Sequence, residues 1–115
     1  MKTTISERGF SESNRELHKY TRHKLAEINR RLPRAIRTDA KCTVKFTQKR
    51  KKEGGFKVCT ISLELPKETL RAQESTEHLF TSLDIVVVRL HEQVADYKAR
   101  HRQRRLPRLR IIGDM

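Results

Sequence analysis

The side chains of this sequence with most potential for metal or acid–base chemistry are five histidines, His18, His23, His78, His91 and His101, and two cysteines, Cys42 and Cys59. A helical metal site needs two histidines one turn apart, at i and i+4, so that both imidazoles reach one ion. None of the five is spaced that way, and there is no His-Glu-x-x-His run. Glu74, Glu77 and His78 fall close together at the start of a predicted helix. Acids there are explained by the positive end of the helix dipole. No catalytic residue, metal site or cofactor is expected, and no small-molecule substrate.

The chemistry that the composition favours is charge. The 115 residues carry 27 Lys and Arg against 14 Asp and Glu, a formal net charge of +13. Such a surplus points to a polyanionic partner, nucleic acid first and an anionic membrane surface second. The basic residues recur in three places: Arg15, Lys19, Arg22 and Arg30; Lys45, Lys49, Arg50, Lys51 and Lys52; and Arg89, Lys98, Arg100, Arg102, Arg104 and Arg105. Arg dominates the first and third groups, which suits a two-pronged grip on phosphate oxygens. The candidate RNA-binding residues are therefore Arg15, Lys19, Arg22, Arg30, Lys45, Lys49, Arg89, Lys98, Arg100, Arg102, Arg104 and Arg105. Aromatic side chains are few, four Phe and two Tyr with no Trp, and Phe46, Phe80 and Tyr97 are assigned to the core. With so few platforms for stacking splayed bases, recognition should rest on the shape and backbone of a structured RNA.

The elements that must position these groups follow from periodicity. Thr3 to Arg8 is β-leaning and closed by Gly9, which predicts a first strand. Ser13-x-x-Glu16 has the form of a capping box, and it opens a helix in which Leu17, Tyr20, Leu25, Ile28 and Leu32 share one face before Pro33. Arg15, Lys19, Arg22, His23 and Arg30 fall on the opposite face. From Lys41 the period becomes two: Cys42, Val44 and Phe46, then the turn KRKKEGG, then Cys59, Ile61, Leu63 and Leu65. Burying one face of this hairpin sets Cys42 opposite Leu63, Val44 opposite Ile61 and Phe46 opposite Cys59. The two cysteines are then roughly 13 Å apart along the strands, beyond the reach of a disulfide. Thr69 to Glu74 has room for one more short strand after Pro66-Lys67.

The stretch LFTSLDIVVVRL at residues 79–90 poses the hardest local choice. Four consecutive β-branched residues, Ile85 to Val88, favour a strand locally. Yet Leu79, Leu83, Val86, Val87, Leu90, Val94 and Tyr97 repeat at helical spacing over some twenty residues, and β-branching costs only tenths of a kcal/mol per helical residue. The spacing predicts a helix over 77–101, with Ile85 and Val88 turned away from its apolar face. Beyond it, KARHRQRRLPRLR reads as a basic tail, frayed in isolation. The expected fold is α+β: a single domain of order β-α-β-β-β-α, with two helices packed on one face of a four-stranded sheet. The domain should span residues 1–102 and the tail 103–115. There is no apolar run of membrane-spanning length and no secretory h-region, so a cytoplasmic location is expected.

At this order of elements the sequence resembles the short form of the ribosome hibernation-promoting factor and ribosome-associated inhibitor family, also described as sigma-54 modulation proteins. The resemblance covers about residues 3 to 102. It is carried by Ile5, Gly9-Phe10 and Ser13; by Leu17, Tyr20, Leu25 and Ile28; and above all by Ala72-Gln73-Glu74 followed by Leu79-Phe80-Thr81-Ser82-Leu83-Asp84. Arg89-Leu90, Gln93-Val94 and Lys98 sit where the family has its Lys-Leu, Gln-Leu and Lys positions. The resemblance implies binding to small-subunit rRNA in the mRNA and tRNA channel, with ribosomal proteins as further partners, and inhibition of translation without chemistry. Three features depart from the family pattern. Glu92 stands where the family has a basic residue, which implies a missing or shifted RNA contact. Thr81-Ser82 replaces paired alanines, and the tail is too short for the dimerisation domain of the long form.

A general double-stranded-RNA-binding module remains the alternative, because a helix, three strands and a helix describe that domain too. A strand at Thr3 to Arg8 that pairs into the sheet discriminates between the two. A membrane-surface protein is disfavoured, since the apolar helix faces are needed for the core.

Overall fold

The structure is a computed structural model that describes residues 1–10, 14–50, 52 and 54–113, with side chains described as far as residue 101. The elements run β1 (Lys2–Arg8), α1 (Arg15–Arg31), α2 (Arg34–Arg37), β2 (Lys41–Gln48), β3 (Lys57–Leu65), β4 (Glu68–Thr76) and α3 (Leu79–Gly113). The four strands form one sheet in chain order, with α1 and α3 on one face. The expected α+β class and element order hold, with α2 as an unforeseen addition.

The first strand pairs parallel to β2, Ile5 opposite Val44 and Glu7 opposite Phe46. A parallel neighbour cannot be reached by a tight turn, so the chain crosses over through α1 and α2. Gly9 makes the departure possible. Its φ is +86°, and a Cβ there would stand 2.5 Å from the Gln48 carbonyl oxygen, so only glycine fits. The hairpin register is the expected one: Cys42 faces Leu63, Val44 faces Ile61 and Phe46 faces Cys59. Both cysteines are free and buried.

One correction concerns the start of α1. Its cap is Asn14, whose side-chain oxygen accepts the Leu17 N–H at 3.0 Å, as N-cap residues do. Ser13, the expected cap, lies outside the described residues. At the other end, Arg37 on α2 turns back and donates from Nε to the Leu32 carbonyl at 2.8 Å and from Nη2 to the Arg30 carbonyl at 2.5 Å. A cation thus satisfies carbonyls at the negative end of α1. That is what α2 positions.

Between the layers lie Leu17, Leu25, Ile28 and Leu32 from α1, Cys42, Val44 and Phe46 from β2, Cys59, Ile61 and Leu63 from β3, and Leu83, Val86, Leu90, Val94 and Tyr97 from α3. The helix over LFTSLDIVVVRL is confirmed. Burying Val86 and Val87 is worth roughly 1.5–3 kcal/mol each, which outweighs the tenths that β-branching costs. Val88, turned outward, is 57% exposed. The same helix continues as backbone through the basic segment to Gly113.

Phe80 is the second correction. It was expected in the core and is instead 39% exposed, because it stands on the flank of α3 nearest α1 and packs its ring on Tyr20, centroid to centroid 5.3 Å. Tyr20, half-buried, donates its hydroxyl to Asp84 Oδ1 at 2.6 Å. Asp84 thereby joins the two helices, a structural role.

Candidate nucleic-acid interface

Each group of candidate cations has a different fate in the fold. Arg15, Lys19, Arg22 and Arg30 are all exposed on α1. The reason is the 3.6-residue period: the apolar positions that bury Leu17, Leu25 and Ile28 turn these four outward. No ion pair among the described residues engages them.

The α3 cations differ. Arg89 pairs with Glu74 at 2.6 Å and donates to the Gln73 carbonyl at 2.9 Å. Arg100 pairs with Glu68. The carboxylate beside it raises the Arg100 pKa further above its ordinary value. Both arginines are half-exposed, yet their guanidinium groups are fastened to β4. Lys98 is half-buried. Exposed acids, Asp84, Glu92 and Asp96, share the solvent side of α3 with them. The side chains of Arg102, Arg104 and Arg105 lie outside the described residues.

Lys45 stands apart from the helical groups. It is exposed on β2 between the buried Val44 and Phe46, and alternation along a strand puts it on the opposite face of the sheet. Lys49, Arg50 and Lys52 are exposed at the β2–β3 connection, while Lys51 falls outside the described residues. The fold therefore brings the α1 cations together, separates Lys45 from them by the thickness of the sheet, and engages Arg89 and Arg100 elsewhere.

Summing charge along the chain shows a division that composition alone concealed. Residues 1–52 hold 16 Lys and Arg against 5 Asp and Glu; residues 53–101 hold 6 against 8; residues 102–115 hold 5 against 1. Because the sheet runs β1-β2-β3-β4, this becomes a division in space. The β1-α1-β2 half is strongly basic and the β3-β4-α3 half is not. His18 Nε2 lies 2.8 Å from Glu7 Oε1, which ties α1 to β1 on the basic side.

Other chemistry finds little footing. Among the described residues no group of three His, Cys, Asp or Glu could hold a metal ion. Burial pushes both thiols up to about 12, far from the range of a nucleophilic thiolate. His91 has its pKa lowered, first by burial and then by Arg31. Among the described residues no helix is long and apolar enough to cross a membrane.

Ser82 is a residue whose role sequence reasoning missed. It is buried, donates to the Lys57 carbonyl at 2.8 Å, and lies 2.7 Å from Thr76 Oγ1. The departure from a paired alanine thus has a local account: the serine fastens the start of α3 to β3.

A search of curated protein sequences returns no match. Among solved structures, the chain is similar to a ribosomal subunit interface protein from Coxiella burnetii, at TM-score 0.67 and 20% identity over 86% of this chain and 99% of that one. It is also similar to the N-terminal domain of Protein Y from Thermus thermophilus, at TM-score 0.69 and 22% identity over 84% of this chain and 99% of that one. At these identities the likeness shows the shared fold. Residues 3–102 match the family described as sigma 54 modulation protein / S30EA ribosomal protein. With that match covering most of its length, the chain belongs to this ribosome-associated family.

Proposed function

We propose that this protein is a translation inhibitor of the hibernation type, binding small-subunit rRNA in the path of mRNA and tRNA without altering any covalent bond. The observation that carries the proposal is α1: four exposed cations, Arg15, Lys19, Arg22 and Arg30, on one helix and free of ion pairs among the described residues. Family membership supports the ribosome as the source of the polyanion. So does the solved relative from Coxiella burnetii, which is described as a ribosomal subunit interface protein. Phosphate contacts of this kind position a protein on RNA without reading base sequence, in keeping with so few aromatic platforms.

Lys45, Lys49 and Lys98 extend the proposed contact surface, as do Arg102, Arg104 and Arg105 in the basic tail. Arg89 and Arg100 join it only by leaving their β4 partners. The division into a ribosome-binding domain over residues 1–102 and a tail over 103–115 belongs to the same proposal, and the family match ending at residue 102 supports it. Ribosomal proteins bordering the channel are the further partners, and the ribosome-bearing cytoplasm is the location. The parallel pairing of β1 with β2 argues against the double-stranded-RNA-binding alternative, which lacks that strand.

Sedimentation through a sucrose gradient tests the reading. The purified protein should travel with isolated small subunits at low salt and should depress cell-free translation. Binding to free RNA duplexes with equal affinity, and no movement with subunits, would favour the duplex-binding alternative. Binding to subunits with translation untouched would remove the inhibitory mechanism and leave the location.

A further inference from the structure

The sheet has a second face, and no helix lies on it among the described residues. The outward positions of β1 and β2 are Lys2, Thr4, Ser6 and Arg8, and Lys41, Thr43, Lys45 and Thr47. They number four cations, four hydroxyls and no acid. Lys2 lies directly beside Lys41 and Ser6 beside Lys45. Across β3 and β4 the same face reads Val58, Thr60, Ser62 and Glu64, then Thr69, Arg71, Gln73 and Ser75, with one cation and one acid.

A face that only needs to be wet intersperses both signs of charge, and like charges directly opposite on neighbouring strands destabilise a sheet. The β1–β2 half carries no acid of its own, and its nearest counter-charge on this face is Glu64, opposite Lys41 on β3. The same half sets Lys2 against Lys41, and no ion pair among the described residues engages Lys2, Arg8, Lys41 or Lys45. From Lys2 to Arg8 the strip is about 20 Å long at 3.4 Å per residue, and Lys49 and Arg50 continue it at the end of β2. The hydroxyls of Thr4, Thr43 and Thr47 between the cations add neutral donors of the kind that bind phosphate oxygens, while that of Ser6 turns to the Val44 carbonyl at 3.5 Å.

From this we infer that the open face of β1 and β2 is a second phosphate-binding surface, so that structured RNA contacts the basic half of the protein on both sides, along α1 and along the Lys2–Lys41–Lys45–Arg8 strip. The inference rests on the RNA-binding reading above and adds its geometry: a protein charged on two opposite faces is held in a cleft between two RNA walls rather than laid on one. The occupant is a phosphodiester backbone, because the face offers cations and hydroxyls without an apolar or aromatic patch for a base or a peptide.

The test compares three triple variants that each remove three positive charges: Arg8→Gln/Lys41→Gln/Lys45→Gln on the strip, Arg15→Gln/Lys19→Gln/Arg22→Gln on α1, and Lys57→Gln/Lys67→Gln/Arg71→Gln on the other half. All the replaced side chains are exposed or half-buried, and thermal melting confirms that each variant folds. Affinity for isolated small subunits is measured across a salt series. The strip variant should bind at least tenfold more weakly than wild type at about 0.1 M salt, with log K against log salt flattened by two to three units, on the ~0.7–0.9 per phosphate scale. The control on the other half should shift far less. A strip variant that behaves like that control, while the α1 variant loses binding, overturns the second face and leaves the first. Wild-type protein that fails to bind subunits removes both. Loss of binding to intact subunits with undiminished binding to protein-free small-subunit RNA would assign the face to an acidic protein, and overturns the RNA assignment.

Discussion

Gln93 and Arg71 exchange two hydrogen bonds: the Arg71 N–H donates to Gln93 Oε1 at 3.2 Å, and Gln93 Nε2 donates to the Arg71 carbonyl at 2.9 Å. The side-chain amide of α3 thus pairs with β4 as a neighbouring strand would. One turn earlier, Arg89 satisfies the Gln73 carbonyl. Together they occupy the outer edge of β4, where unpaired backbone groups would otherwise recruit another strand. Gln93→Ala should cost about 1 kcal/mol and lower the melting temperature by roughly 4–8 °C. Gln93→Glu should not rescue it, because a carboxylate sets a second acceptor against the Arg71 carbonyl. A melting curve of Gln93→Ala identical to wild type would show that the edge does not depend on this clamp.

Ser82 supplies the second prediction. Its hydroxyl reaches the Lys57 carbonyl from a fully buried position. Replacement by alanine, the residue the family pattern favours there, leaves that carbonyl without this donor. Ser82→Ala should lower stability by about 1–2 kcal/mol, read as a shift of the urea midpoint at unchanged slope. Equal or greater stability would mean that the serine is tolerated rather than used.

The link between Tyr20 and Asp84 gives a pH signature. The Tyr20 pKa is raised above its ordinary value of 10.0, first by its hydrogen bond to Asp84 and then by burial. A phenol whose pKa is raised by folding is stabilising in its protonated form. That contribution is complete below pH 10 and is lost as pH climbs from there through the folded value. Tyr20→Phe keeps the ring against Phe80 and removes the bond. Urea midpoints of wild type and Tyr20→Phe should therefore differ at pH 8 and converge above pH 10; a gap that stays constant over that range would refute the link.

Cys42 and Cys59 should be silent in the native protein. With both thiols pushed up to about 12 by burial, an aromatic disulfide reagent at pH 8 should label neither at a measurable rate, and should label two in denaturant without reductant. Rapid native labelling would require the core to open locally far more often than its packing suggests.

Much of the fold was legible because two periods compete openly in this sequence. Alternation fixed the Val44–Ile61 register, and helical spacing over Leu79 to Tyr97 overrode the local preference of Ile85 to Val88. The cap of α1 was displaced by one residue because Ser13 and Asn14 are both good cap residues, and only backbone geometry chooses between them. Phe80 was misplaced because its spacing puts it at the margin of the apolar arc, where the neighbour on α1 decides its exposure. The candidate site was legible as a charge surplus and not as a surface. Which cations are already engaged depends on pairs such as Arg89 with Glu74 and Arg100 with Glu68, separated by 15 and 32 residues and invisible to periodicity.

That engagement separates the candidates experimentally. Arg22 is exposed on α1 and has no ion-pair partner among the described residues, whereas Arg89 holds Glu74 and the Gln73 carbonyl. With about six phosphates contacted, log K for small subunits should fall with log salt at a slope of roughly −4 to −5. Arg22→Ala should flatten that slope by about one unit and leave stability within about 0.5 kcal/mol of wild type, as surface substitutions do. Arg89→Ala should do the reverse, lowering the melting temperature while the slope holds. The contrast is decisive because both changes delete one positive charge, so a partner that senses net charge alone would respond to them equally. Equal flattening by the two variants would mean that Arg89 leaves β4 on binding and that RNA competes successfully with Glu74 for the guanidinium.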